Sequence, residues 1–195
     1  FSPGKAWEQA LGDIFLANLD QNCWGWADAR STWLLDFLSD YDSQFCFVLV
    51  FDSPQAAIRL TLLSEEEFTP ESAIDTWLNY NHELLHFYNR NAERCILVNA
   101  NDCLSHPKAF VDLCRDRLDL ELSFDSDAPL KSADPVSELA EFLSEELLSS
   151  HPEAHELYLE METCAIRLNP VPESKLMQSR SAMRNKLVAG AIREF

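Results

Sequence analysis

Glycine is scarce in this chain. Four occur among 195 residues, Gly4, Gly12, Gly25 and Gly190, which points to a helix-rich protein. No G-x-x-x-x-G-K-[ST] phosphate loop or equivalent is present, and Ser2-Pro3-Gly4-Lys5 is too short to serve as one. Long apolar runs are also missing. The longest, Phe45 to Phe51, is far below the roughly 20 residues that cross a bilayer, so no membrane span is expected. None of the six cysteines stands in a C-x-x-C pair, which argues against a zinc knuckle or a disulfide framework and for a reducing cytoplasm. No charged-then-apolar signal segment opens the chain, and its first residue is Phe1; it reads as a piece of a longer protein, joined to neighbouring domains.

Positive charge is the other shortage. Fifteen Lys and Arg face 33 Asp and Glu, a formal charge of −18. Residues 173–195 hold five basic and two acidic side chains, so +3, which leaves −21 for residues 1–172 out of the total of −18. An acidic body of that size repels phosphate backbones and anionic lipid, so no nucleic-acid partner is expected. The hydrophobic share of 47% and the 22.3 kDa mass suit one domain with a real core.

Apolar periodicity predicts helices over 5–20, 31–39, 54–62, 70–89, 107–117, 135–148 and 152–166. Thr69-Pro70 supplies a cap followed by a proline in the first turn. Gln44 to Phe51 is a continuous apolar run rich in β-formers, which suits a strand buried on both faces of a parallel sheet. Arg94 to Ala100 reads as a second buried strand, and 118–124 alternates like a third, short one. Ser123 to Asp134 is a polar, acidic loop, and Asn169-Pro-Val-Pro172 breaks the chain before a basic linker or terminal helix over 173–195. The order strand, helix, strand, helix is a βαβ unit. The expected fold is therefore α/β, a helix-rich three-layer domain over 1–172 with a small, mainly parallel sheet.

One metal motif stands out. His82-Glu83-Leu-Leu-His86 matches H-E-x-x-H, in which two histidines four apart on a helix bind zinc and the glutamate is the general base. The same stretch carries Trp77, Leu78, Leu84, Leu85 and Tyr88, an apolar face that leaves the histidines on an exposed stripe, and no third histidine follows at the usual spacing. That balance favours no metal site, with zinc-dependent hydrolysis as a remote alternative. His151 and His155, beside Glu153, read as a helix start.

The order of several short motifs resembles the bacterial sulfotransferase-like family. Trp24-Gly-Trp-Ala-Asp-Ala-Arg30 and the following Leu34-Leu-Asp-Phe37 resemble its W-G-W-x-D-P-R segment; Gln44 to Pro54 resembles its F-x-F-V-L-V-φ-R-x-P strand. Trp77 to Leu85 matches W-x-x-Y-N-x-x-L-L, and Arg94 to Ala100 with Asp102, Leu104 and Pro107 matches R-C-L-L-V-N-A and its sequel. The resemblance covers about residues 20–165 and implies a fold related to the P-loop sulfotransferases. It also implies 3′-phosphoadenosine 5′-phosphosulfate as donor, sulfuryl transfer to a hydroxyl, and a carbohydrate acceptor in polysaccharide synthesis. By position, Arg30 matches a family arginine, Asp52 stands where the family has the 3′-phosphate arginine, and Leu60 replaces the family serine between Arg59 and Thr61. Arg30, Asp52, Arg59 and Thr61 are thus the donor-site candidates. The charge reversal at Asp52 makes a degenerate member the expectation, or else a non-catalytic module attached to a glycosyltransferase. If the resemblance holds, Asp52 sits at the carboxyl end of a central strand, facing a cleft. Read without it, Trp24, Trp26, Trp33 and Trp77 are core or interface aromatics, Asp28 and Arg30 cap a helix or pair with each other, and Asn99 satisfies a turn.

Overall fold

The computed structural model describes residues 4–63, 69–125 and 138–168. The expected helix start at Pro135, most of the acidic loop, and the segment from Asn169 onward lie outside them.

Among the described residues, eight α-helices accompany two strands. The helices are α1 (Lys5–Ala17), α2 (Leu35–Tyr41), α3 (Pro54–Leu63), α4 (Pro70–Asn91), α5 (Ala100–Ser105), α6 (Pro107–Leu118), α7 (Glu138–Ser149) and α8 (Pro152–Cys164); the strands are β1 (Phe47–Phe51) and β2 (Cys95–Asn99). A 3-10 turn, Ala29–Leu34, leads directly into α2, so the helix expected over 31–39 starts as a tighter coil. Local chemistry sets the helix starts. Thr69 accepts from the Ser72 N–H at 3.2 Å with Pro70 in the first turn, and Ser53 Oγ accepts from the Ala56 N–H at 3.2 Å.

β1 and β2 pair in parallel, Phe47 against Cys95 through Phe51 against Asn99, with α3 and α4 in the connection. Alternate residues point to opposite faces. On one face Phe47, Leu49, Phe51, Cys95 and Leu97 join Ile74, Trp77, Phe87, Leu157 and Met161 in the main core. On the other, Ile96 and Val98 pack with Cys114 and with Phe110 and Leu113 of α6. Helices on both sides of the sheet give the three layers.

Two expectations are corrected here. β1 is buried on one face only: Val48 and Val50 are 39% and 46% exposed, while all five residues of β2 are buried. The cause is coverage, because the α6 layer packs on Ile96 and Val98 and leaves their β1 neighbours open. Residues 118–124 form no strand. Asp119 takes the left-handed conformation, φ 52°, and ends α6. Leu118 and Leu122 then pack on the Ile96–Val98 cluster, and the outer edge of β2 is met by Ile166, whose N–H donates to Leu97 C=O at 2.8 Å.

Candidate functional site

Ligands of parallel α/β sheets bind beyond the carboxyl ends of the strands. There the chain places a connected polar network. Asp52 follows β1 directly. Its Oδ1 accepts from the Ser53 N–H at 2.7 Å and from Asn101 Nδ2 at 3.2 Å, and its backbone carbonyl accepts from the Trp77 indole at 3.0 Å. Asn99, the last residue of β2, is 7% exposed. Its Oδ1 accepts from the Asn101 N–H at 2.8 Å, which caps α5, and its Nδ2 donates to Glu162 Oε1 at 2.6 Å and to the Tyr158 hydroxyl at 3.2 Å. Arg167 lies 3.9 Å from the other Glu162 oxygen. The Tyr158 ring meets Phe51 edge-on at 6.0 Å, which fixes the hydroxyl above the strand ends. Burial raises the Tyr158 pKa above its ordinary value, and the negative charges of Glu162 and Asp52 push it the same way.

This end carries two carboxylates beside a phenol and two amides that both donate and accept. It does not fit the phosphosulfate donor. A carboxylate about 4 Å from a phosphate at an effective dielectric near 20 is opposed by about 4 kcal/mol. Most of the N–H groups at the start of α3, where an anion would seek them, already have partners. Asp52 takes the Ser53 N–H, Pro54 has none, and the Ala56 N–H is shared by the Ser53 carbonyl and hydroxyl at 3.0 and 3.2 Å.

Of the four donor-site candidates, Asp52 is at the expected strand end, half-buried, on what is the outer strand of the described sheet. Arg59 is half-buried on α3 and makes no ion pair among the described residues. The Thr61 hydroxyl donates back to Ala57 C=O at 3.1 Å, and Leu60 is 70% exposed. Arg30 is spent on Asp28, which it meets at 2.7 Å; the Asp28 carboxylate also caps the 3-10 turn through the Arg30 N–H. That pair holds the Asp28 carboxyl below its usual range.

His82, Glu83 and His86 are exposed, opposite the buried face of Ile74, Trp77, Leu84 and Phe87. Among the described residues no group of three His, Cys, Asp or Glu side chains is placed to hold a metal ion. His151 Nδ1 meets Glu153 at 3.1 Å at the start of α8.

The network members that the residue patterns did not single out are Asn101, Tyr158 and Glu162. A signal existed for the last two. They are four apart on α8, on a face flanked by buried Ala154, Leu157 and Met161, so both are held at the edge of the core.

The opposite end of the sheet is built from cations. Arg94, just before β2, donates to Ser43 C=O at 3.0 Å, to Asp42 C=O at 3.4 Å and to Ser39 Oγ, and its guanidinium lies 5.9 Å from the Phe47 ring centroid. Arg90 pairs with Asp36 at 2.8 Å beside a shallow depression of about 320 Å3 lined by Asp36, Ser39, Asp40, Arg90 and Asn91. Nearby, Trp24 and Trp26 stack at 5.9 Å and meet Phe15 and Phe45 edge-on at 5.3 and 5.9 Å. No family model, curated protein or solved structure matches this chain.

Proposed function

We propose that this chain is a degenerate sulfotransferase-like α/β module that has given up the phosphosulfate donor and binds a neutral, hydroxyl-bearing ligand, a carbohydrate, at the carboxyl ends of its strands. The observation that carries the reading is Asp52. Its carboxylate is held at the end of β1 by the Ser53 N–H and by Asn101, and its fixed negative charge occupies the place where the family holds the 3′-phosphate with an arginine. Sugar hydroxyls donate to carboxylates and amides without bringing the charge that an acidic site rejects, and they tolerate a body of −21. The aligned motifs from Trp24 to Pro107 support the family framework. The Asn99, Tyr158 and Glu162 contacts support a site fixed in place before the ligand arrives.

Titration of the full chain with neutral oligosaccharides, followed by calorimetry and by amide shifts, tests the reading. Binding of about millimolar to micromolar strength, −4 to −8 kcal/mol, is expected, with shifts at Asp52, Asn101 and Tyr158. Asp52→Ala is expected to weaken it about tenfold or more, since tenfold is about 1.4 kcal/mol and a hydrogen bond to a charged group contributes about 1.5–3 kcal/mol. Binding indifferent to Asp52→Ala, or shifts confined to the other end of the sheet, would move the site elsewhere.

A further inference from the structure

β1 is incompletely covered, on one face and along one edge. Val48 and Val50 are 39% and 46% exposed although their register partners Ile96 and Val98 are fully buried. Among the described residues β1 pairs with β2 alone, so its outer row of backbone N–H and C=O groups has no strand beside it. Parallel strands are normally covered on both faces, and a free apolar edge is a template for another strand. The outer edge of β2, by contrast, is met by Ile166.

We propose that the occupant of the β1 edge is this chain's own terminal segment, residues 187–192, Leu-Val-Ala-Gly-Ala-Ile, added as a strand beside β1, its side chains flanking Val48 and Val50. Three observations favour this occupant over a second copy or another protein. The first is tethering. The described chain runs to Leu168, two residues beyond the Ile166 contact on the sheet, and 18 residues separate it from Leu187. Eighteen residues are ample to cover the roughly 10 Å across two strands, so the covalent link holds the segment at high effective concentration. The second is overall charge: residues 169–195 carry +3 and the rest −21 of the −18 total, so the body attracts this segment and repels a second body. The third is local. Lys186 and Arg193 flank the apolar run, while Asp42, ahead of the strand, forms no ion pair with a described residue.

Cys46 is a built-in reporter. It is exposed, two residues from Val48 and so on the same side of the strand, whereas Cys23 is exposed on a different segment and serves as reference. Two readouts on the full chain test the proposal: alkylation of Cys46 relative to Cys23, and hydrogen exchange of the β1 amides. Val188→Asp with Ile192→Asp is expected to speed both on the order of tenfold, because a charge in the added strand releases it. High salt is expected to move the unaltered chain in the same direction. Rates unchanged by the double substitution would overturn the proposal. So would protection that rises with protein concentration, since a second copy would then be covering the edge.

Discussion

The two ends of the sheet solve opposite electrostatic problems. At the amino ends, Arg94 ties the loop after α2 to β2, and Arg90 pairs with Asp36. At the carboxyl ends, Asp52 and Glu162 approach the strand termini through Asn101 and Asn99, and the nearest cation, Arg167, stands 3.9 Å from Glu162. An anion-binding α/β enzyme needs the reverse, with cations and free N–H groups beyond the carboxyl ends. Here Arg90 and Arg94 hold structure together, and the carboxyl end carries the carboxylates of Asp52 and Glu162. The difference shows that the two ends of one small sheet can carry opposite charge patterns.

The comparison can be broken from the amino end first. Arg94→Ala removes three hydrogen bonds and a ring contact from a half-buried guanidinium. A loss of about 2–3 kcal/mol in denaturant unfolding is expected. Arg90→Ala, which breaks an exposed pair, should cost less than about 1 kcal/mol. Equal costs would mean that the amino-end cations are not a clamp centred on Arg94.

At the other end, Asn99→Ala removes a hydrogen-bond partner from Glu162, Tyr158 and the Asn101 N–H together. The expected cost is about 1–3 kcal/mol, with faster hydrogen exchange at the start of α5 and along α8. A neutral effect would show that the network follows from the fold and does not hold it.

A pH dependence reports on burial rather than on either end of the sheet. Burial pushes the Cys95 and Cys103 thiols up to about 11 and raises the Tyr158 pKa as well. In each case the unfolded chain releases its proton first, so stability is complete below the unfolded values and falls as pH rises through the folded ones. The decline should begin near pH ~8.5 through the thiols and steepen above ~10 through Tyr158. Tyr158→Phe is expected to keep the first part and flatten the second; a slope unchanged above pH ~10 would remove Tyr158 from the account.

Much of the framework was legible in the residues. The prolines and caps at Thr69, Pro107 and Pro152 announced their helices, and the two apolar runs announced a parallel pair. The burial of those strands was not legible. Phe-Val-Leu-Val-Phe is more apolar than Cys-Ile-Leu-Val-Asn, yet β1 is the half-exposed strand, because burial depends on which helix lies over it. The alternation in 118–124 misled for a related reason: Asp119 turned the chain, and its leucines were used on the α6 cluster. At the candidate site, Asp52 was singled out through the resemblance, as the residue standing at the family arginine's position after the strand. Tyr158 and Glu162 were not joined to it, since more than a hundred residues separate them in sequence and only the packing of α8 over the strand ends brings them near Asn99.

The most direct test is calorimetric titration of the full chain with 3′-phosphoadenosine 5′-phosphate, the spent donor. The acidic strand end predicts no measurable heat of binding up to about millimolar ligand, corresponding to an affinity weaker than about −4 kcal/mol. Micromolar binding, lost on Arg59→Ala or Arg30→Ala, would contradict the account and restore a working donor site.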